Sequence, residues 1–236
     1  MDISENCELQ YEQKKAENRN RNLRFAAGGV IFTDLDMAWI GEDVSIGKGT
    51  LIGPCVTIDG KTEIGEGCNI GQNSQVFDSI IGDGSIVISS VIRENKIGNN
   101  TSIGPFANLR PGNSIGDNVR IGDFVEIKNS SVGSGTKISH LTYVGDSDLG
   151  KNINVGCGVV FVNYDGKQKH RSTVADGVFI GCNVNLVSPV KIAANAYIAA
   201  GTTVTTDVTE GCLHIGRSKG RSIEGWAERK GFLGGK

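Results

Sequence analysis

Aliphatic residues recur at a step of six along most of this chain. The hexads begin as IGEDVS at Ile40, IGKGTL at Ile46 and IGPCVT at Ile52, and continue as IDGKTE, IGEGCN and IGQNSQ from Ile58, Ile64 and Ile70. The pattern loosens near 76–96 and resumes at Ile97, Ile103, Leu109, Ile115, Ile121 and Ile127. A five-residue step leads to Val132, Ile138 and Val144, and another to Leu149, Val155 and Phe161. After a break at 163–176 the aliphatics return at Ile180, Leu186, Ile192, Ile198 and Val204. A helix repeats near 3.6 residues and a strand near 2, so neither gives this period. A three-sided coil does. Each side is a short strand, each corner is a tight turn, and one rung takes about 18 residues. The aliphatic residue points inward and stacks on its counterpart one rung away. Gly, Asn and Asp suit the corners, where positive φ is cheap for them. The five-residue steps read as local slips absorbed as bulges. The prediction is an all-β fold, a parallel β-helix.

The flanks break the rule. Residues 8–28, ELQYEQKKAENRNRNLRFAAG, are rich in helix formers and stop at Gly28-Gly29, which predicts one charged helix. The chain therefore divides into a helical arm or linker (1–36), a coil (37–210) with an inserted loop (163–176), and a basic, irregular tail (211–236). Arg217, Lys219, Arg221, Arg229 and Lys230 give the tail cations that can meet phosphate, though most read as solvated.

Composition agrees with the coil. The 34 glycines in 236 residues are about twice the usual share, and aromatics are 6%. A net charge of -2 gives no reason to expect a nucleic-acid partner. The polar start MDISENCELQYEQKK has no apolar signal core, and no apolar run approaches the ~20 residues that span a bilayer. The expected location is the cytoplasm, with no membrane attachment. The six cysteines are scattered without a C-x-x-C pair, so they read as reduced thiols rather than a disulfide frame or a zinc site.

Chemistry concentrates in a few places. KISHLTYVGD (137–146) gathers His140, Thr142 and Tyr143 where outward positions of a repeat are free to vary. On the residues alone His140 is equally a base or a corner cap. Arg110 and Lys128 are three full hexads apart, which places them on one face of adjacent rungs, where a phosphate clamp would need them. The insertion FVNYDGKQKHRSTVADGVFIG (161–181) carries Asn163, Tyr164 and Lys169. His170 and His214 read as surface residues.

Five segments in order carry a resemblance: IGPFANLRPG (103–112), IGDFVEIKNS (121–130), HLTYVGD (140–146), NINVGCGVVFVNYDGKQKH (152–170) and LVSPV…IAAGTTVTTDV (186–208). Together they resemble the acetyltransferase domain of the bifunctional bacterial enzymes that make UDP-N-acetylglucosamine, closely over 97–217 and more loosely back to the helix. The resemblance implies the left-handed coil of hexapeptide-repeat transferases, assembled as a homotrimer with each site between neighbours. It implies acetyl transfer from acetyl-CoA to the 2-amino group of glucosamine-1-phosphate by direct attack, with no metal required. The product, N-acetylglucosamine-1-phosphate, would feed cell-wall and lipopolysaccharide precursors. His140 matches the family's base. Arg110, Lys128, Tyr143 and Asn154 match its sugar-phosphate residues. Asn163 and Tyr164 match coenzyme contacts, with Lys169 closing the loop. Cys157, Cys182 and Ala200 match positions that serve through backbone groups, and Arg217 matches the arginine for the coenzyme phosphates.

Two departures stand out. Cys157 and Cys182 occupy places where the family commonly has alanine and serine; an acyl-enzyme on either thiol is not expected. The nucleotidyltransferase domain is missing, and SENCELQ resembles its end, so the chain is either a piece of a longer protein or a naturally short homologue. Uridyl transfer is not expected from it. The competing readings are an acetyltransferase for another amino sugar and a non-catalytic coil that binds a partner.

Overall fold

A computed structural model describes residues 3–232; residues 1–2 and 233–236, the extremes of the predicted arm and tail, lie outside the described residues. Between the ends, strands of two to four residues alternate with tight corners. They collect into three wholly parallel sheets of 11, 10 and 9 strands. Each strand pairs with the one a full rung away, so Ile103 lies against Ile121, Ile121 against Ile138 and Ile138 against Val155. The fold is a left-handed parallel β-helix with an N-terminal helix. We call the 11-stranded sheet the first face, the 10-stranded sheet the second and the 9-stranded sheet the third. The inward aliphatics Ile103, Leu109, Ile115, Ile121, Ile127, Val132, Ile138 and Val144 are all buried and form part of one continuous core. Burying each is worth about 1.5–3 kcal/mol.

The loosened stretch at 76–96 never leaves the coil. Val76, Ile81, Val87, Ile92 and Ile97 are all buried, at steps of five, six, five and five. The five-residue steps are tightened corners, not bulges. Each carries a Ser or Asn two places before the next inward aliphatic, and that side chain donates to the carbonyl two residues back. The bonds are Ser79 to Phe77 (2.7 Å), Ser90 to Ile88 (2.7 Å), Asn95 to Arg93 (2.6 Å), Ser130 to Lys128 (2.8 Å) and Ser147 to Gly145 (2.9 Å). The residue before each, from Asp78 to Asp146, has positive φ. A shortened corner strands a carbonyl, and the local side chain satisfies it.

The excursion at 163–176 is shorter than its sequence suggests. Strand Ser172–Val174 already pairs with Ser147–Leu149, and Val174 is buried, so the chain is outside the coil only over 163–171. The inward Val174 is followed by Ala175, without the glycine that directly follows the aliphatic residue in many hexads.

Helix α1 (Ile3–Ala27) starts earlier than the predicted boundary at Glu8. Its C-terminal half covers the open first rung. Asn18 Nδ2 donates to the Ala38 carbonyl (2.8 Å), its Oδ1 accepts from the Ile40 amide (3.1 Å), and Asn22 Nδ2 donates to the Leu35 carbonyl (2.8 Å). Phe25 packs against the core. These bonds occupy backbone groups at an edge otherwise open to pairing. The last rung ends with strand Leu213–His214, and the exposed tail holds one turn of helix, α2 (Trp226–Arg229). Among the described residues no helix is long and apolar enough to cross a membrane.

Candidate active site

His140 ends strand Lys137–His140, at the corner between the first and second faces. Asp123 holds the same corner one rung earlier, with Oδ1 2.5 Å from His140 Nδ1. With Nδ1 donating to the carboxylate, Nε2 is left as the accepting nitrogen. The imidazole bond holds the Asp123 carboxyl below its usual range. The register continues this column through Cys157, Cys182 and Ala200, one rung apart in turn. Arg217 Nη1 donates to the Ala200 carbonyl. The four predicted coenzyme positions outside the loop thus form a line leading away from His140. In the other direction, a groove of about 320 Å³ runs past Ile88, Pro105, Gly122 and Asp123. Asn154 is on the first face, paired with Lys137 and just ahead of Cys157 in the same rung.

The second face holds the cations. Leu109 pairs with Ile127, and the Arg110 amide donates to the Ile127 carbonyl (2.9 Å), so Arg110 and Lys128 sit on adjacent rungs as their spacing predicts. Arg110 Nη1 donates to Glu126 Oε1 (3.0 Å). Lys169 arrives from the loop beside Lys128; that second ammonium, with partial burial behind it, lowers the Lys128 pKa. Beneath them lies Asp146, buried, accepting from Asn129 Nδ2 (2.6 Å) and Asn163 Nδ2 (2.5 Å). Burial works to raise its pKa, but the two amides and the charges of Lys128 and Lys169 bring it below the ordinary value. Asn163 Nδ2 is also 3.4 Å from Tyr143 Oη. Three cations against two carboxylates, Asp146 and the Arg110 partner Glu126, leave a net positive patch suited to an anion.

Gly145 makes room for this cluster. A Cβ there would overlap Tyr143 Oη and lie 2.6 Å from Tyr143 Cζ and 2.7 Å from Asn163 Nδ2. The loop is braced at both ends. Asp165 Oδ1 accepts from the amides of Lys167 (2.7 Å) and Gln168 (2.8 Å), and Oδ2 is 2.7 Å from His170 Nε2. The Gln168 amide first, then His170, pull the Asp165 carboxyl down to about 2. His170 is therefore part of the loop's frame, not a bystander. Tyr164 pairs with Lys169 across the loop, and its Oη donates to the Gly166 carbonyl (2.8 Å). At the return, Arg171 grips Asp148 through Nε (2.6 Å) and Nη2 (2.5 Å) and donates to the Asn129 carbonyl (2.9 Å).

Sequence reading missed Asp123, Gly145, Asp146 and Arg171. Asp123 had a signal: it precedes His140 by one rung that contains one five-residue step. The structure gathers two groups and keeps them apart within one chain. Lys128 pairs with Gly145, which lies past His140 on the next side of the coil, so their backbones stand at opposite edges of the second face, up to about 16 Å along a strand. Asn154 lies with His140, not with the cations. Among the described residues no group of three or more His, Cys, Asp or Glu side chains could hold a metal ion.

The family model of the bacterial transferase hexapeptide (six repeats) matches residues 43–78, 96–129 and 171–206. A protein of Thermoanaerobacter pseudethanolicus called bifunctional protein GlmU is 53% identical over 220 residues, 93% of this chain and 48% of the relative. Its namesake in Clostridium beijerinckii is 51% identical over 231 residues, covering 98% and 51%. The chain thus spans about half the length of the curated relatives it matches. The solved structure of an Arabidopsis UDP-N-acetylglucosamine acyltransferase superposes with a TM-score of 0.61 at 22% identity, over 84% of this chain and 76% of that one, and shares the fold. Repeat, coil and relatives agree: this chain belongs to the bacterial transferase hexapeptide-repeat family.

Proposed function

We propose that the chain moves an acetyl group from acetyl-CoA to the 2-amino group of glucosamine-1-phosphate, yielding N-acetylglucosamine-1-phosphate. The observation that carries this reading is the cluster of Arg110, Lys128 and Lys169 over the buried Asp146, a seat for a phosphate beside Tyr143 and Asn163. The GlmU relatives and the resemblance of the motifs support acetyl transfer to an amino sugar.

In this mechanism the amine nitrogen attacks the thioester carbonyl as His140 Nε2 takes one of its protons. Asp123 fixes the tautomer that leaves Nε2 free and stabilises the imidazolium. The C–S bond then breaks, and the coenzyme thiolate recovers that proton from His140. The thioester lies along the Cys157–Cys182–Ala200 column, with Arg217 at its far end for the coenzyme phosphates. Asn154 hydrogen-bonds the sugar, and Tyr164 flanks the coenzyme from the loop. Because the cations and His140 stand at opposite edges of one face, a neighbouring copy must bring its His140 column against this chain's cation cluster. The expected assembly is a homotrimer of parallel coils.

The test is coenzyme thiol release over a panel of amino sugars. Loss of the 1-phosphate should lower kcat/KM by about 10²-fold or more, the worth of two charged hydrogen bonds at ~1.5 kcal/mol each. His140→Ala should lower kcat by about 10²–10⁴-fold. An enzyme indifferent to the 1-phosphate refutes the acceptor, and an undiminished His140→Ala refutes the base.

A further inference from the structure

We propose that Cys157 and Cys182 are a redox pair, which a low-molecular-weight disulfide converts into an intramolecular disulfide that closes the corner column. The register sets the two side by side: Val155 pairs with Ile180, each cysteine follows its partner by two residues, and the Asn183 amide donates to the Cys157 carbonyl (2.8 Å). Both occupy the same place in their corners, immediately before a residue of positive φ, Gly158 or Asn183. Neighbouring parallel strands put their Cα atoms about 4.8 Å apart. A disulfide accepts roughly 4.4–6.8 Å.

A second observation comes from the same column. Asp123 and His140 occupy that corner position on the two preceding rungs, and their side chains meet at 2.5 Å. Side chains at this position therefore project from the same corner on successive rungs. Cys182 is exposed and Cys157 half-buried, so a small reagent can enter. Cys68, by contrast, is buried, and burial pushes its thiol pKa up. Cys55, Cys7 and Cys212 lie elsewhere, on an early corner, on α1 and beside the last strand.

The chemistry balances. His140, one rung from Cys157, takes the thiol proton. The Cys157 thiolate attacks one sulfur of the small disulfide, breaks its S–S bond and expels a thiolate that recovers the proton from His140. The Cys182 sulfur, losing its own proton, then attacks Cys157 Sγ and expels the second small thiol. Two cysteines are oxidised and one disulfide is reduced to two thiols. That closure blocks acetyl transfer rests on the column being the coenzyme path proposed above.

The experiment treats the whole chain, folded, with glutathione disulfide and maps the thiols by mass spectrometry. The expected product has lost two hydrogen atoms and yields a peptide linking Cys157 to Cys182. Cys182→Ser should instead stop at glutathione bound to Cys157. No such link, or a link to another cysteine, overturns the proposal. Each variant's acetyl transfer is compared only with its own untreated rate; in the unsubstituted chain the loss should track the linked species and reverse with dithiothreitol. Saturating acetyl-CoA should slow closure by about tenfold or more. Rapid closure that acetyl-CoA does not slow leaves the pair standing and counts against the coenzyme path, so the two failures are told apart.

Discussion

Gly145→Ala is the sharpest probe of the cation face, because it removes no functional group. The added methyl would overlap Tyr143 Oη and sit 2.6 Å from Tyr143 Cζ, where carbon atoms rest near ~3.5 Å or more. The ring must therefore retreat by about 1 Å, and Asn163, whose amide would be 2.7 Å away, must turn with it. Overpacking a sealed core costs about 1–3 kcal/mol. Tyr143 is only half-buried, so much of the strain escapes outward. Gly145 does not have positive φ, so alanine is free of backbone strain there and gains about 0.4–1 kcal/mol from the stiffer unfolded chain. Stability should stay within about 1 kcal/mol of the parent in a denaturant titration. The site should suffer far more. A displacement of about 1 Å in a positioning group can cost on the order of 10²-fold in rate. Thiol-release kinetics should show kcat/KM for glucosamine-1-phosphate falling roughly 10- to 100-fold through Tyr143, and KM for acetyl-CoA rising as the coenzyme contact Asn163 turns. Unchanged acceptor kinetics would refute a role for Tyr143 in holding the sugar.

Three further substitutions address other parts of the site. Asp123→Asn should lower kcat by about 10²–10⁴-fold, and combining it with His140→Ala should add little, since both remove one base; an unaffected single variant would show the pair to be ornamental. Asp146→Asn leaves an amide facing two amide donors, so it should lose about 1–3 kcal/mol at neutral pH in chemical denaturation. Because the native Asp146 pKa lies below the ordinary 3.8, the parent's advantage should hold above about pH 4 and fade as pH falls through the lowered native value; an advantage that grew toward acid would contradict it. Arg171→Lys keeps the charge but loses the fork on Asp148, and should raise acceptor KM about tenfold by loosening Lys169, with the melting temperature nearly unchanged.

The coil itself is legible because its interior repeats. Every inward position demands the same kind of side chain, so the period survives in the sequence from Ile40 to Val204. The stretch 76–96 looks irregular only because three of its steps are short. The serines and asparagine that make them short, Ser79, Ser90 and Asn95, are polar residues with no periodic marker of their own. Lys169 shows the opposite limit. Nothing in a loop's sequence says where its tip will land, and this one places its lysine beside Lys128 because Asp165 braces the turn and Arg171 clamps the return.

Outside the core, neighbours can be read only by counting rungs, and the count is not constant. Arg110 and Lys128 can be paired from the sequence because all three steps between Leu109 and Ile127 are full hexads. The rung from Asp123 to His140 contains the short corner at Ser130 and is one position shorter, as is the rung from Asn129 to Asp146. The rung from Cys157 to Cys182 carries the loop and is longer than a full one, so no fixed period would join the two thiols. A coil of this kind thus hides its chemistry in its irregular rungs. The short corners and the loop shift the spacing of outward side chains while the inward stack stays in register. The residues around His140 and Asp146 come together on such rungs, so a search for sites in related coils should start from the positions where the hexad fails.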